Sequence, residues 1–249
     1  MLEEMDITPN RPVVIGASAL AFVAACVAHE VVGHGGACLL GGGTIDRLSS
    51  VYFHCSGADL PADLGGPVAS AVLGLAALAL LRRGQRGAAA RAFLAFSFAI
   101  NLLWVVGCLL WSSLAAQSDF AYAARLLGRW ETAGRIVLGV AGIGLGVFTC
   151  RVLARQRLPR QALRTGYVTA GLVSCIAALL YAGPVLPALR EAFLEGFGAL
   201  AWLLFVPGVG ASSHAPGAAT QDATRDRLLL ASAALAVLGF AAVLGRGYG

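Results

Sequence analysis

One short string in this chain holds three side chains capable of metal or acid–base chemistry. Ala28-His29-Glu30-Val31-Val32-Gly33-His34-Gly35 places two imidazoles and a carboxylate within six positions. The string lies inside a long apolar run, where ionisable groups are expensive and default to a functional role. A zinc ion in a hydrolytic site takes three protein ligands and keeps one position for water, whose pKa it lowers to about 7. A neighbouring glutamate can then take the water's proton. Two histidines with an adjacent glutamate therefore point to a metal site, with Glu30 as general base. A hydrogen-bonded polar knot between helices, or a proton or ion path, would use the same residue types.

The spacing carries a complication. In the pattern H-E-x-x-H the histidines sit four apart on one helical face. Here they sit five apart, roughly 140° around an ideal α-helix. A π-bulge would absorb the extra residue, and such bulges concentrate at functional sites; Gly33 is the expected place for the distortion. The alternative is that Glu30 and His34, four apart, are the ligands and His29 acts differently.

The elements that position this string are read from composition and hydropathy. The chain has 249 residues, 58% hydrophobic and 12% charged, with a mean hydropathy of +0.78. A soluble domain carries about 25% charged residues; half that number leaves too little polar surface to face water. The expected fold is an all-α integral membrane protein, a single polytopic domain of six or seven transmembrane helices over residues 1–249. Spans are expected at about 13–40, 64–81, 92–116, 134–153, 165–183, 189–206 and 228–244, each near the length that crosses a hydrocarbon core about 30 Å thick. The segment 189–206 carries Glu191 and Glu195 in its first half and is expected to be partly interfacial, with both carboxylates on one helical face toward water or an interface. Residues 1–11 are acidic, and the run after them is too long for a signal-peptide core, so it is expected to stay as a membrane helix. The proline of Gly65-Gly66-Pro67 suits a first helical turn. Thr44–Ser56 reads as a short extended segment, and Asp119–Trp130 as a short interfacial helix. Cys38 and Cys55 flank one loop and could pair on an oxidising side.

The net charge of +5 is carried by arginines at helix ends, without a basic stripe interleaved with aromatics, so no nucleic-acid partner is expected. Arg82, Arg83, Arg86 and Arg91 crowd one loop, and Arg151, Arg155, Arg157, Arg160 and Arg164 another. By the positive-inside rule both are cytoplasmic. The first and third spans then run outward.

The string His29 to His34 resembles the H-E-x-x-H motif of the site-2-protease-like intramembrane zinc metalloproteases, including relatives with a glycine before the second histidine. Gly66-Pro67-Val68-Ala69-Ser70 looks like that family's next core helix, with Ser70 where asparagine is common. Asn101-Leu102-Leu103 through Gln117-Ser118-Asp119 looks like its third core segment, which ends in an aspartate ligand. The resemblance covers about residues 15–120, with additional helices over 121–249. It implies Zn²⁺ held by His29, His34 and Asp119, with Glu30 as base, acting on a membrane-associated peptide or protein. The deduced topology puts all three ligands toward one membrane face, as a shared ion requires. His54 is a possible fourth ligand or substrate contact. Asn101 either hydrogen-bonds between helices or orients a scissile carbonyl. Asp46, Asp59 and Asp63 read as solvated loop residues able to replace Asp119, and His214 as incidental. A zinc-dependent lipid hydrolase, a metal or proton transporter and a silent scaffold are the competing functions. The alanine- and arginine-rich, lysine-free composition suggests a bacterial plasma (inner) membrane.

Overall fold

The computed structural model describes residues 9–83, 87–208 and 223–249; His214 and Arg86 lie outside them. The first helix is continuous over Arg11–Leu40. It begins as α1 (Arg11–Cys26), capped by Asn10, whose side chain accepts from the Val13 N–H. It passes through a π-helical segment (Val27–Gly35) and ends as α2 (Gly36–Leu40). An antiparallel hairpin follows, β1 (Thr44–Leu48) with β2 (Phe53–Ser56). Then come α3 (Asp59–Arg82), α4 (Ala88–Ala115), the short α5 (Ala121–Arg125), α6 (Glu131–Ala154) and α7 (Arg160–Leu179). Next, α8 (Val185–Phe193) continues as a π segment (Leu194–Gly198) and a 3₁₀ segment (Ala199–Phe205). The last helix is α9 (Ala223–Phe240), with a π-helical end at Ala241–Gly245.

Six of these helices are long and apolar enough to cross a membrane: Arg11–Leu40, Asp59–Arg82, Ala88–Ala115, Gly128–Ala154, Arg160–Leu179 and Thr224–Gly245. The expected span at 189–206 is not among them. Its glutamates dilute the apolar stretch, and the helix changes type twice along its length. The fold is thus nearly all-helical, with the hairpin as its one sheet among the described residues.

The central element is α4, packed against α1, α3 and α6. Phe96, Phe98, Ile100 and Leu103 on it are fully buried, because other helices surround it. The outer helices show the reverse pattern: Val137, Val140, Leu235 and Leu238 are each about two-thirds exposed. Large apolar groups turned outward along whole helices mean that these faces are not built to meet water.

Chain ends and loops sort to two ends of the bundle. At one end Asn10 Nδ2 donates to Asp226 at 2.5 Å, which sets the start of α1 beside the start of α9. At the other end Leu48 and Tyr248 exchange backbone hydrogen bonds, so the hairpin is tied to the end of the last helix. We call these the arginine end and the hairpin end.

Cys38 and Cys55 form a disulfide, with Cα atoms 6.0 Å apart, that fastens α2 to β2. Cys26, Cys108, Cys150 and Cys175 are free. Alkylation of the denatured, unreduced protein is therefore expected to modify four cysteines, and all six after reduction. Six before reduction would remove the disulfide.

Two sequence expectations need correction here. The second long helix starts at Asp59, so Pro67 lies inside it and not in its first turn. A proline there lacks the N–H that would bond to the Asp63 carbonyl and distorts the preceding turn. Asn101 makes no interhelical bond: its Nδ2 donates to Ser97 O of the same helix at 2.8 Å, and Oδ1 is buried without a partner among the described residues.

Candidate metal centre

The π segment resolves the histidine spacing. Hydrogen bonds from i to i+5 widen the helical turn, so that residues five apart come to lie on one face. His29 and His34 consequently face each other, with Nε2 atoms 3.1 Å apart, and both are buried, at 2% and 5% exposure. The reading in which Glu30 and His34 pair as ligands does not describe this geometry. Glu30 is buried at 4% but stands outside the convergent ligand set, which is His29, His34 and Asp119.

Asp119 reaches the pair from the far end of α4. Ala116 (φ 54°) and Ser118 (φ 77°) take left-handed backbone conformations just before it. Such residues cost roughly 1–2 kcal/mol each and cluster where a functional geometry is enforced. The turn is held by Ser112 Oγ, which accepts the Phe120 N–H at 3.2 Å. Asp119 Oδ2 then lies 3.2 Å from His29 Nε2, and Oδ1 3.8 Å from His34 Nε2. Oδ2 is buried yet has no hydrogen-bond partner among the described residues.

The rest of each imidazole is accounted for. His34 Nδ1–H donates to Ala62 O at 2.7 Å, because a carbonyl can only accept. That fixes the tautomer and leaves Nε2 with a bare lone pair. His29 Nδ1 is 3.0 Å from Ser70 Oγ. Trp104 stacks on the His29 ring at 5.1 Å, and Phe53 on the His34 ring at 5.1 Å. The two imidazoles meet edge to face.

The backbone of α3 closes the site from one side. Gly33 and Gly65–Gly66 touch so closely that a Cβ on any of them would collide with main chain or imidazole. Gly33 lies within the π segment, as expected of the distortion, and is also a point of close helix approach. This contact is what brings Ala62 and Ser70 within reach of the two rings.

The arrangement suits a divalent ion. Ligands arranged tetrahedrally around zinc, each 2.0–2.1 Å from it, lie about 3.3 Å from one another. The separations of His29 Nε2 from His34 Nε2 and from Asp119 Oδ2, 3.1 and 3.2 Å, are close to that value, while the other carboxylate oxygen, Oδ1, lies 3.8 Å from His34 Nε2. Two imidazole nitrogens and a carboxylate oxygen this close repel unless a proton or a cation lies among them.

A cavity of about 610 Å³ opens on this cluster at the hairpin end. Glu30, Asp63, Trp104, Cys108, Trp111, Gln117, Glu191, Glu195 and Trp202 are among its lining residues. Asp63 thus belongs to a helix and the cavity wall, not to a solvated loop. Glu191 and Glu195 both line the cavity, where water or an interface was expected. The two carboxylates are four apart and share a helical face, in a segment that Arg190 beside Glu191 makes amphipathic. His54 lies apart from the cluster, on β2, with a 69% exposed side chain and Asp46 Oδ2 3.7 Å away. Asn101 does not line the cavity either. Asp46 accepts from Ser56 Oγ at 2.5 Å, and Asp59 opens α3. Comparison of the chain with protein-family models, with curated proteins and with solved structures finds no match.

Proposed function

We propose that this protein is a multi-pass membrane metallohydrolase, a peptidase that binds Zn²⁺ through His29, His34 and Asp119 and cuts a membrane-associated polypeptide. The observation that carries the reading is the convergence of two buried Nε2 atoms and a carboxylate oxygen beside a buried glutamate. The resemblance of the His29–His34 string to the site-2-protease-like family supports the same reading. The outward apolar faces of the bundle support a bilayer as its medium. The arginine end faces the cytoplasm on this account, and the disulfide at the hairpin end suits an oxidising exterior, as at a bacterial inner membrane.

Bound zinc supplies a water of lowered pKa and polarises the scissile carbonyl. The chain's own residues do the rest. Glu30 lines the same cavity and is placed to accept the water's proton and return it to the leaving amine. Ala62 O and the Ser70 hydroxyl hold the two imidazoles in register. Val51, Tyr52 and Phe53 put the hairpin at one side of the cavity.

The apolar side of the cavity, Trp104, Leu110, Trp111 and Trp202, equally favours an acyl chain, and a lipid ester or amide is the second reading. One experiment addresses both. The protein in liposomes is offered a single-span peptide or a phospholipid, with and without a zinc chelator. Peptide cleavage that stops on chelation and returns with zinc supports the peptidase. Chelator-sensitive lipid hydrolysis alone moves the assignment to the second reading, and chelator-insensitive turnover contradicts both.

A further inference from the structure

The cavity wall has a charge pattern that the zinc site uses only in part. Among the described residues, five carboxylates line the cavity: Glu30, Asp63, Asp119, Glu191 and Glu195. No arginine lines it, although arginine is the chain's only strongly basic residue type and the net charge is +5. Zinc with two neutral imidazoles would offset two of those charges.

One of the carboxylates lacks a partner that would explain its burial. Glu30 is only 4% exposed, with His34 and Asp119 as its charged neighbours. Glu195 Oε2 is fully buried without a hydrogen-bond partner. The charged groups that act on Glu195 are Glu30, Asp119 and Glu191, all carboxylates. Arg125 acts on Asp63, but no arginine acts on Glu195. The Tyr52 hydroxyl, which also lines the cavity, is pushed up by burial and then by Glu191, Tyr181 and Glu195, against a smaller lowering by Arg47. Glu195 also occupies a π segment, Leu194–Gly198, the same local distortion that aims the histidines. A buried, unpaired carboxylate is strongly unfavourable as an anion and holds a proton until a cation joins it. A group that fits there brings a positive charge and hydrogen-bond donors.

We propose that Glu195, with Glu191 beside it, is a subsite for a cationic side chain of the substrate polypeptide, a lysine or arginine near the bond to be cut. This inference rests on the metallopeptidase reading for its substrate class, but its binding step does not require zinc. A cationic side chain entering from the hairpin end carries its apolar stem past the tryptophans and its charge to Glu195. The substrate's register against the metal is then set by a charge pair in a low-dielectric cavity.

Binding of three single-span peptides, identical except for lysine, norleucine or glutamate at one juxtamembrane position, is read from the fluorescence of the cavity tryptophans. Wild type, Glu195→Gln and Glu195→Asp are compared, each with its zinc content measured. The lysine peptide is expected to bind wild type at least about tenfold more tightly than the norleucine peptide, an advantage lost in Glu195→Gln and partly kept in Glu195→Asp. The glutamate peptide is expected to bind weakest. Equal binding of the lysine and norleucine peptides to wild type would overturn the subsite. A lysine advantage that persists in Glu195→Gln would overturn the assignment to that residue. Displacement of the lysine peptide by phosphatidylethanolamine but not phosphatidylcholine would overturn the polypeptide in favour of an amine headgroup. Zinc retained with no lysine preference sinks only the subsite, whereas a lysine preference without zinc sinks only the metallopeptidase.

Discussion

Glu30→Gln protein is expected to keep its zinc and to lose hydrolysis by a factor of about 10²–10⁴, the usual contribution of a positioned general base. Glutamine matches glutamate in shape and cannot take the water's proton. The three convergent ligand atoms belong to His29, His34 and Asp119, so the amide leaves the ligand set complete. Glu30 is buried and lines the cavity, and the substitution also removes a buried carboxylate, so the fold should not suffer. Initial rates of peptide cleavage and zinc content, taken on the same sample, check this. Zinc lost together with activity would instead make Glu30 a ligand, as its spacing of four from His34 first allowed. Unchanged activity would remove it from the chemistry.

Gly66→Ala is the second large effect. A Cβ at Gly66 would lie 2.7 Å from His29 Nε2 and closer still to His34 Nε2, in the space the ligand atoms need. Neither ring can yield easily, because Trp104 backs one and Phe53 the other. Zinc affinity is therefore expected to fall by at least about 100-fold, the upper end of what loss of outer support costs a metal site. Gly36→Ala provides the control, since a Cβ there meets nothing within 4 Å; it should bind zinc as wild type does. Competition with a chromogenic chelator measures both affinities. Equal affinity in Gly66→Ala and wild type would mean that the ion, if any, sits elsewhere.

These two residues also show where the sequence was readable. Glu30 was legible from type and place alone, since a carboxylate between two histidines in an apolar run has few bland explanations. The five-residue spacing of the histidines pointed to a π distortion, and the helix is π over Val27–Gly35. Asp119 came from the resemblance and agreed with the arginine count, because charge bias fixes helix direction without any knowledge of packing. Gly66 was read only as part of a helix opening. Its contact with the imidazoles arises from the crossing of α3 over the π segment at Gly33, a tertiary fact with no local signature. The hydrogen-bonding roles of Ala62 and Ser70 follow from the same crossing and were equally hidden. Glu195 was misread for a different reason. A glutamate in an amphipathic segment looks solvated until the cavity beside it is known. The count of membrane-length helices was open at six or seven for the same cause: residues 189–206 are apolar enough to suggest a span, yet the helix there is irregular and carries charge.

Metal analysis of detergent-purified protein, prepared without chelator, tests the central claim most directly when paired with a His29→Ala/His34→Ala variant. The account predicts about one zinc per chain in the wild type and none in the variant, both folded. Wild-type protein without zinc, or a variant that keeps it, would contradict the account and leave His29, Glu30, His34 and Asp119 as a buried polar network or a proton path.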